Sequence, residues 1–175
     1  MNIREMGPDD VGAFDAFLAE VPGDDRTFFK EDVDAPGLAA RWAGEERCAR
    51  VLAVDDERVV AFAALVPGVA RASHVADLRL VVAASARRQG VGVAVARHML
   101  LAAVQQGFAK VTVEVAVESE GAIAMFQGLG FVPEALLRDQ LRDPDGALHD
   151  LVLLAHPVQE TWAAMLTGGI DDALG

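Results

Sequence analysis

Three stretches of this sequence carry residue types at spacings suited to chemistry. The first is Arg87-Arg88-Gln89-Gly90-Val91-Gly92, which follows the apolar run Leu78–Val82 and precedes a helical stretch. Gly90 and Gly92 have no β-carbon, so the backbone there is free to curl and to let a ligand come close. A strand entering such a turn, with a helix leaving it, aims unpaired N–H groups and the positive end of the helix dipole at one point. That suits an anion, phosphate above all; the competing reading is an ordinary Gly-containing strand-to-helix turn. Arg87 and Arg88 would add charge-assisted contacts to phosphate. As merely solvated arginines they would stand against an unfavourable dipole.

The second stretch is Lys110–Val117. Val111, Val113, Val115 and Val117 alternate with Thr112, Glu114 and Ala116, the period of a strand. A carboxylate in the middle of a valine-rich strand is costly unless solvated or paired. Glu114 therefore reads either as a general base or as the ion-pair partner of Arg79 on a neighbouring strand. Asp77, just before the Leu78–Val82 run, is the second candidate base. The third stretch is Ser119–Phe131, where Ser119 is placed to cap a helix bearing Ala122, Met125, Phe126 and Leu129 on one side, ended by Gly130.

These residues need elements to hold them. Met1–Met6 reads as a strand, and Pro8-Asp9-Asp10 opens a helix whose apolar stripe is Val11, Phe14, Leu18 and Val21. Residues 22–36 lack a period and read as a loop, and a second helix is expected over Gly37–Glu46. Arg50–Val54 and Val59–Leu65 form a hairpin around Asp55–Arg58. The strand His74–Val82 enters the glycine loop, and the following helix runs to about Gln106 with Gly107 as its cap. Ala135–Arg142 and Ala147–Ala155 flank the turn Asp143-Pro144-Asp145-Gly146. Early hairpins followed by β-α-β units imply a mixed α/β chain, with helices on both faces of a mixed sheet. Residues 1–157 are expected to form a single domain and 158–175 a tail with a short helix.

Composition narrows the function. At 175 residues the chain can bury a sizeable core, and it has no apolar run long enough to span a membrane. The first residues lack a signal-peptide pattern, and the single cysteine, Cys48, excludes an internal disulfide and a cysteine-rich zinc site. These features point to a cytoplasmic protein with no metal. The formal charge of −12 and the presence of only Lys30 and Lys110 as lysines argue against nucleic acid as a partner.

The spacing Arg-x-x-Gly-x-Gly at Arg87–Gly92 resembles the pyrophosphate loop of the GCN5-related N-acetyltransferases (GNAT). Ser119–Phe131 resembles that family's other signature, with Ala122, Gly130 and Phe131 in register, and the order of elements matches from Met1 to about Ala155. The resemblance implies the GNAT fold, a mixed, mostly antiparallel sheet with helices on both faces. It also implies acetyl-CoA as cosubstrate and direct transfer to a primary amine, a small molecule in preference to a protein terminus. Alternatives are a CoA-binding module with little turnover and a protein N-terminal or lysine acetyltransferase. By the resemblance, Arg88, Gln89, Gly90, Val91, Gly92 and Val93 offer backbone N–H groups to the pyrophosphate, with Arg87 beside them. The strand before the loop splays, so that Leu80, Val81 and Val82 pair with the pantetheine arm. An N–H near Leu80 or Val81 would polarise the thioester carbonyl. Glu114 stands where ribosomal-protein N-terminal acetyltransferases of the family carry a base, and many relatives have an acid at the position of Asp77.

Two departures stand out. Phe126 occupies the position where many relatives place a tyrosine that protonates the CoA thiolate, and this sequence contains no tyrosine. Ser119 replaces a frequent asparagine. Trp42, Phe28 and Phe29 are candidates for one wall of the acceptor pocket, with packing under a loop as the competing reading. His149-Asp150, Arg138-Asp139 and Arg142-Asp143 either line that pocket or pair across strands. Trp162, Met165 and Leu166 would supply a homodimer patch.

Overall fold

The computed structural model of the protein describes residues 1–26, 29–33, 35–45, 48–143 and 145–158. Seven strands form one sheet: β1 (Asn2–Glu5), β2 (Ala49–Asp55), β3 (Arg58–Pro67), β4 (Val75–Val82), β5 (Lys110–Ala116), β6 (Val132–Arg142) and β7 (Leu148–His156). Their spatial order is β1-β2-β3-β4-β5-β7-β6. Only β4 and β5 run parallel; every other pair is antiparallel. The helices are α1 (Val11–Glu20), α2 (Gly23–Arg26), α3 (Leu38–Ala43), α4 (Val91–Gln105) and α5 (Glu120–Gly128). This is the expected mixed, mostly antiparallel architecture.

Two layers of helices follow from strand alternation. On one face Phe62 of β3 meets Phe14 of α1 (ring centroids 5.0 Å apart) and Trp42 of α3 (5.2 Å), with Phe29 against both Phe62 (5.6 Å) and Trp42 (6.1 Å). On the opposite face Ala61 and Ala63 are fully buried, and α4, which lies against β2, β3 and β4, brings Val95, Ala96 and Met99 to cover them. Phe29 and Trp42 are thus core residues beneath a loop and not a pocket wall. Phe28, the dimer patch and the tail helix fall outside the described residues.

Several local expectations are sharpened. The aperiodic stretch after α1 contains the single turn α2, tied to the C-terminal end of α1 because Arg26 donates from Nη2 to Leu18 O (2.9 Å) and from Nε to Val21 O (3.0 Å). Gly107 (φ +79) and Gly130 (φ +90) end α4 and α5 in the left-handed region. Ser119 stands at the N-cap of α5 but makes no side-chain capping bond; its carbonyl accepts from Ala122 and Ile123 N–H instead (2.9 and 3.0 Å). β6 begins at Val132, before Pro133, a residue that an edge strand tolerates because no ladder bond is lost on its open side. No helix among the described residues is long and apolar enough to cross a membrane.

Candidate functional site

The register of β4 and β5 creates the site. They pair only through Val75↔Lys110, Ala76↔Val111 and Asp77↔Thr112. Beyond these residues the strands diverge, while β4 stays paired with β3 through Val82 and β5 with β7 through Ala116. The parity of the β3–β4 ladder is set by Ala83 N–H donating to Val60 O (2.9 Å) and Gly68 N–H to Val75 O (2.9 Å). Odd-numbered residues of β4 therefore turn their backbone groups toward β3, and even-numbered residues turn theirs toward the gap. Of the three strand residues singled out from the sequence, Leu80 and Val82 present backbone to the gap, and Val81 does not.

A cavity of about 640 Å³ opens along this split. Leu80, Val81 and Val82 border it on one strand, Val113, Glu114 and Val115 on the other, with Arg87, Arg88, Gly90, Gly92 and Val93 at the loop end and Ser119, Met125 and Phe126 beneath. Gln89 and Val91 do not line it: the Gln89 amide is turned back to Ser85 O (2.8 Å), and the Val91 side chain is buried. Asp77 does not line it either.

Local conformation explains the loop. Arg88 (φ +58) and Gly90 (φ +80) both take the left-handed conformation, which coils the chain into the start of α4. The helix closes its first turn with Ala94 N–H to Gly90 O (3.0 Å), leaving the N–H groups of Val91, Gly92 and Val93 without intrahelical partners. Gly92 has no left-handed φ, contrary to the sequence expectation of a curl at both glycines. A β-carbon there would stand 3.1 Å from Met125 Sδ, so the glycine lets α4 and α5 come together. Arg87 is held by an ion pair with Asp25 and donates from Nε to Val82 O (3.2 Å). Arg88 makes no ion pair among the described residues and lines the cavity. The loop end thus offers free N–H groups, a helix N-terminus and an uncompensated guanidinium, the chemistry of an anion site.

At the other end lies a chain of charges. Alternation puts Asp77, Arg79, Thr112 and Glu114 on the sheet face that carries Phe62. Lys30 Nζ bridges Asp77 Oδ2 (3.1 Å) and Glu114 Oε2 (3.1 Å). Arg79 donates to Asp77 Oδ2 (3.2 Å), Glu31 Oε1 (3.0 Å) and Phe29 O (3.0 Å), while Trp42 Nε1 donates to Glu31 Oε2 (3.2 Å). The alternative reading of Glu114 as the partner of Arg79 is corrected: Arg79 serves Asp77 and Glu31, and Lys30 takes Glu114. Lys30 was not legible as a site residue, because it stands in an aperiodic loop that reaches β5 only through tertiary contacts.

Glu114 and Lys30 also border a second cavity of about 400 Å³ with Glu31, Asp32, Gln140, Leu141 and Arg142. Its far wall is an irregularity in β6, where pairing jumps from Leu137↔Leu151 to Leu141↔His149 and Asp139 takes φ +51. Such bulges bend a strand and re-aim side chains beside sites. Two polar pairs form within this hairpin. Asp150 accepts from Asp139 N–H (2.8 Å), and His149 lies 3.2 Å from Asp143, holding that carboxyl below the usual carboxylate range. Cys48 lies outside both cavities, its thiol pushed up by burial. Among the described residues no cluster of His, Cys, Asp and Glu is arranged to hold a metal.

The acetyltransferase (GNAT) family model matches residues 16–131. A probable acetyltransferase from Staphylococcus epidermidis superposes with a TM-score of 0.75 at 18% identity, covering 89% of this chain and 97% of that one. A ribosomal-protein-alanine N-acetyltransferase from Brucella melitensis gives 0.74 at 17% identity, covering 90% and 99%. A GCN5-related N-acetyltransferase from Kribbella flavida gives 0.71 at 23% identity, covering 89% and 96%. At these identities the likeness is one of fold. No curated protein matches the sequence.

Proposed function

The chain belongs to the GNAT acetyltransferase family, and on that premise we propose that it transfers an acetyl group from acetyl-CoA to the primary amine of a small molecule by direct attack. The observation that carries this reading is the β4–β5 split, which ends in an anion site at one side and a carboxylate at the other. An extended donor with a pyrophosphate and a thioester suits both ends. The free N–H groups of Val91, Gly92 and Val93, with Arg88, would hold the phosphates. The gap-facing backbone of Leu80 and the N–H of Val82, whose carbonyl already accepts from Arg87, would pair with the amide groups of the donor's arm.

Each residue then has a role in the chemistry. Glu114, at the junction of the two cavities, accepts the proton that the acceptor ammonium must lose before its nitrogen can attack. The Leu80 N–H is a donor toward oxygen that gains negative charge as the carbonyl is attacked. Phe126 has no proton to give; among the described residues lining the larger cavity Ser119 carries the only hydroxyl. A thiol with an ordinary pKa of about 8.5 leaves tolerably as thiolate near neutral pH without a strong acid. Asp77, outside both cavities, positions Lys30 and Arg79.

The acceptor enters through the smaller cavity. Its volume of about 400 Å³ and its three carboxylates, Glu31, Asp32 and Glu114, against Lys30 and Arg142 favour a small cationic amine. Calorimetric titration with acetyl-CoA, followed by a panel of small amines assayed for free CoA, tests the reading. Saturable binding with CoA release by at least one amine is expected. Absence of binding contradicts it.

A further inference from the structure

We propose that Lys30 is an acceptor built into the chain, and that the protein acetylates its own Lys30 side chain. This rests on the donor reading above. Lys30 Nζ is a primary amine 3.1 Å from Glu114 Oε2, the group assigned to receive the acceptor's proton, and 3.1 Å from Asp77 Oδ2. It borders both the larger cavity and the smaller one, as Glu114 does, and so lies beside the route proposed for an incoming amine.

Its placement is held by its neighbours. Phe29 is fully buried among Trp42 and Phe62, and its carbonyl accepts from Arg79. Glu31 is bonded by Arg79 and Trp42 on the other side of Lys30. Between these anchors Lys30 itself takes φ +58, a conformation that costs a non-glycine residue energy and persists only when its surroundings impose it. Lys110, the other lysine, pairs with Glu134 away from both cavities. The two lysines therefore differ in their access to the cavities: Lys30 borders both and Lys110 neither.

In the reaction Glu114 takes a proton from the Lys30 ammonium. The freed nitrogen lone pair forms a C–N bond to the thioester carbonyl carbon, and the C–S bond breaks with its electron pair on sulfur. The amide nitrogen sheds its second proton as the thiolate gains one. The sum is one ammonium and one thioester giving one secondary amide, one thiol and one proton. The product is neutral, so Glu114 loses the ion pair recorded here, while Asp77 keeps Arg79.

The test is incubation of the purified chain with acetyl-CoA and no added amine, with peptide-level mass spectrometry over time at several protein concentrations. The expected result is acetylation of Lys30 at a rate independent of protein concentration. That rate exceeds the Lys110 rate by at least about tenfold, because proximity replaces a bimolecular encounter. Glu114→Gln slows the Lys30 reaction and leaves Lys110 unaffected, and Lys30→Arg abolishes the fast incorporation. Lys30 unmodified, or modified no faster than Lys110, overturns the inference. If acetyl-CoA binds and amines are acetylated while Lys30 stays free, the inference falls and the donor reading stands; if acetyl-CoA does not bind, both fall.

Discussion

Met125 Sδ lies 3.1 Å from the point where a β-carbon on Gly92 would stand, with Val82 Cγ2 at 3.7 Å. Helix α5 and strand β4 thus close on the first turn of α4 across a residue that has no side chain. The same residue lines the larger cavity beside the free N–H groups of the loop.

Gly92→Val is expected to push the flexible Met125 thioether toward the cavity and to place two methyl groups against the anion site. Affinity for acetyl-CoA should fall by at least about tenfold, roughly 1.4 kcal/mol. The fold should survive, because a methionine terminus repacks readily. Titration calorimetry on the variant, with a thermal melt as the fold control, measures this; unchanged affinity would remove the loop from the donor site.

The two carboxylates bridged by Lys30 are expected to behave differently. Asp77→Asn keeps the side-chain shape and leaves Glu114 in both cavities, so kcat should fall no more than about tenfold, against the 10²–10⁴-fold or so that a lost general base costs. Steady-state assays of the variant at saturating donor decide this. A loss as deep as that of a base variant would exchange the roles given to Asp77 and Glu114.

Gly130 combines φ +90 with a β-carbon position 3.2 Å from His156 Nε2. Gly130→Ala should therefore destabilise the protein by about 1–2 kcal/mol from the left-handed conformation alone, with crowding of the imidazole in addition. A denaturant midpoint shift at unchanged slope is the expected readout.

His156 supplies a pH dependence. It is buried, its Nδ1 has no hydrogen-bond partner among the described residues, and burial holds its pKa below the ordinary 6.5. Well above pH 6.5 the ring is neutral in both folded and unfolded chains and has no effect on the pH slope. As pH falls through 6.5 the unfolded chain binds a proton that the folded chain does not, so stability declines until the folded pKa is reached. His156→Phe should flatten this acid limb in denaturant titrations run from neutral to mildly acidic pH; an unchanged limb would assign it elsewhere.

The legible parts of the molecule were those written in local physics. The valine alternation of Lys110–Val117 marks a strand because its period is the strand's own, and Gly90, Gly107 and Gly130 mark turns because each adopts the left-handed φ that glycine tolerates best. The loop at Arg87–Gly92 was visible for the same reason, although Gly92 turned out to answer to α5 and not to its own backbone. Lys30 was invisible: no period surrounds it, and it reaches Glu114 because Arg79 and Trp42 pin its neighbours from distant elements. Trp42 and Phe29 could not be sorted between pocket and core by sequence, since an aromatic residue serves either. That β7 lies between β5 and β6 is likewise a matter of long-range pairing and leaves no local mark.

Acetyl transfer with Glu114 as base is tested most directly by release of free CoA from saturating acetyl-CoA across a panel of small amines, by the wild-type chain and by Glu114→Gln. Release by the wild type with at least one amine is expected. In the variant kcat should fall by about 10²-fold or more, with donor affinity unchanged. Donor binding with no release from any amine, or equal release by the two proteins, would contradict it.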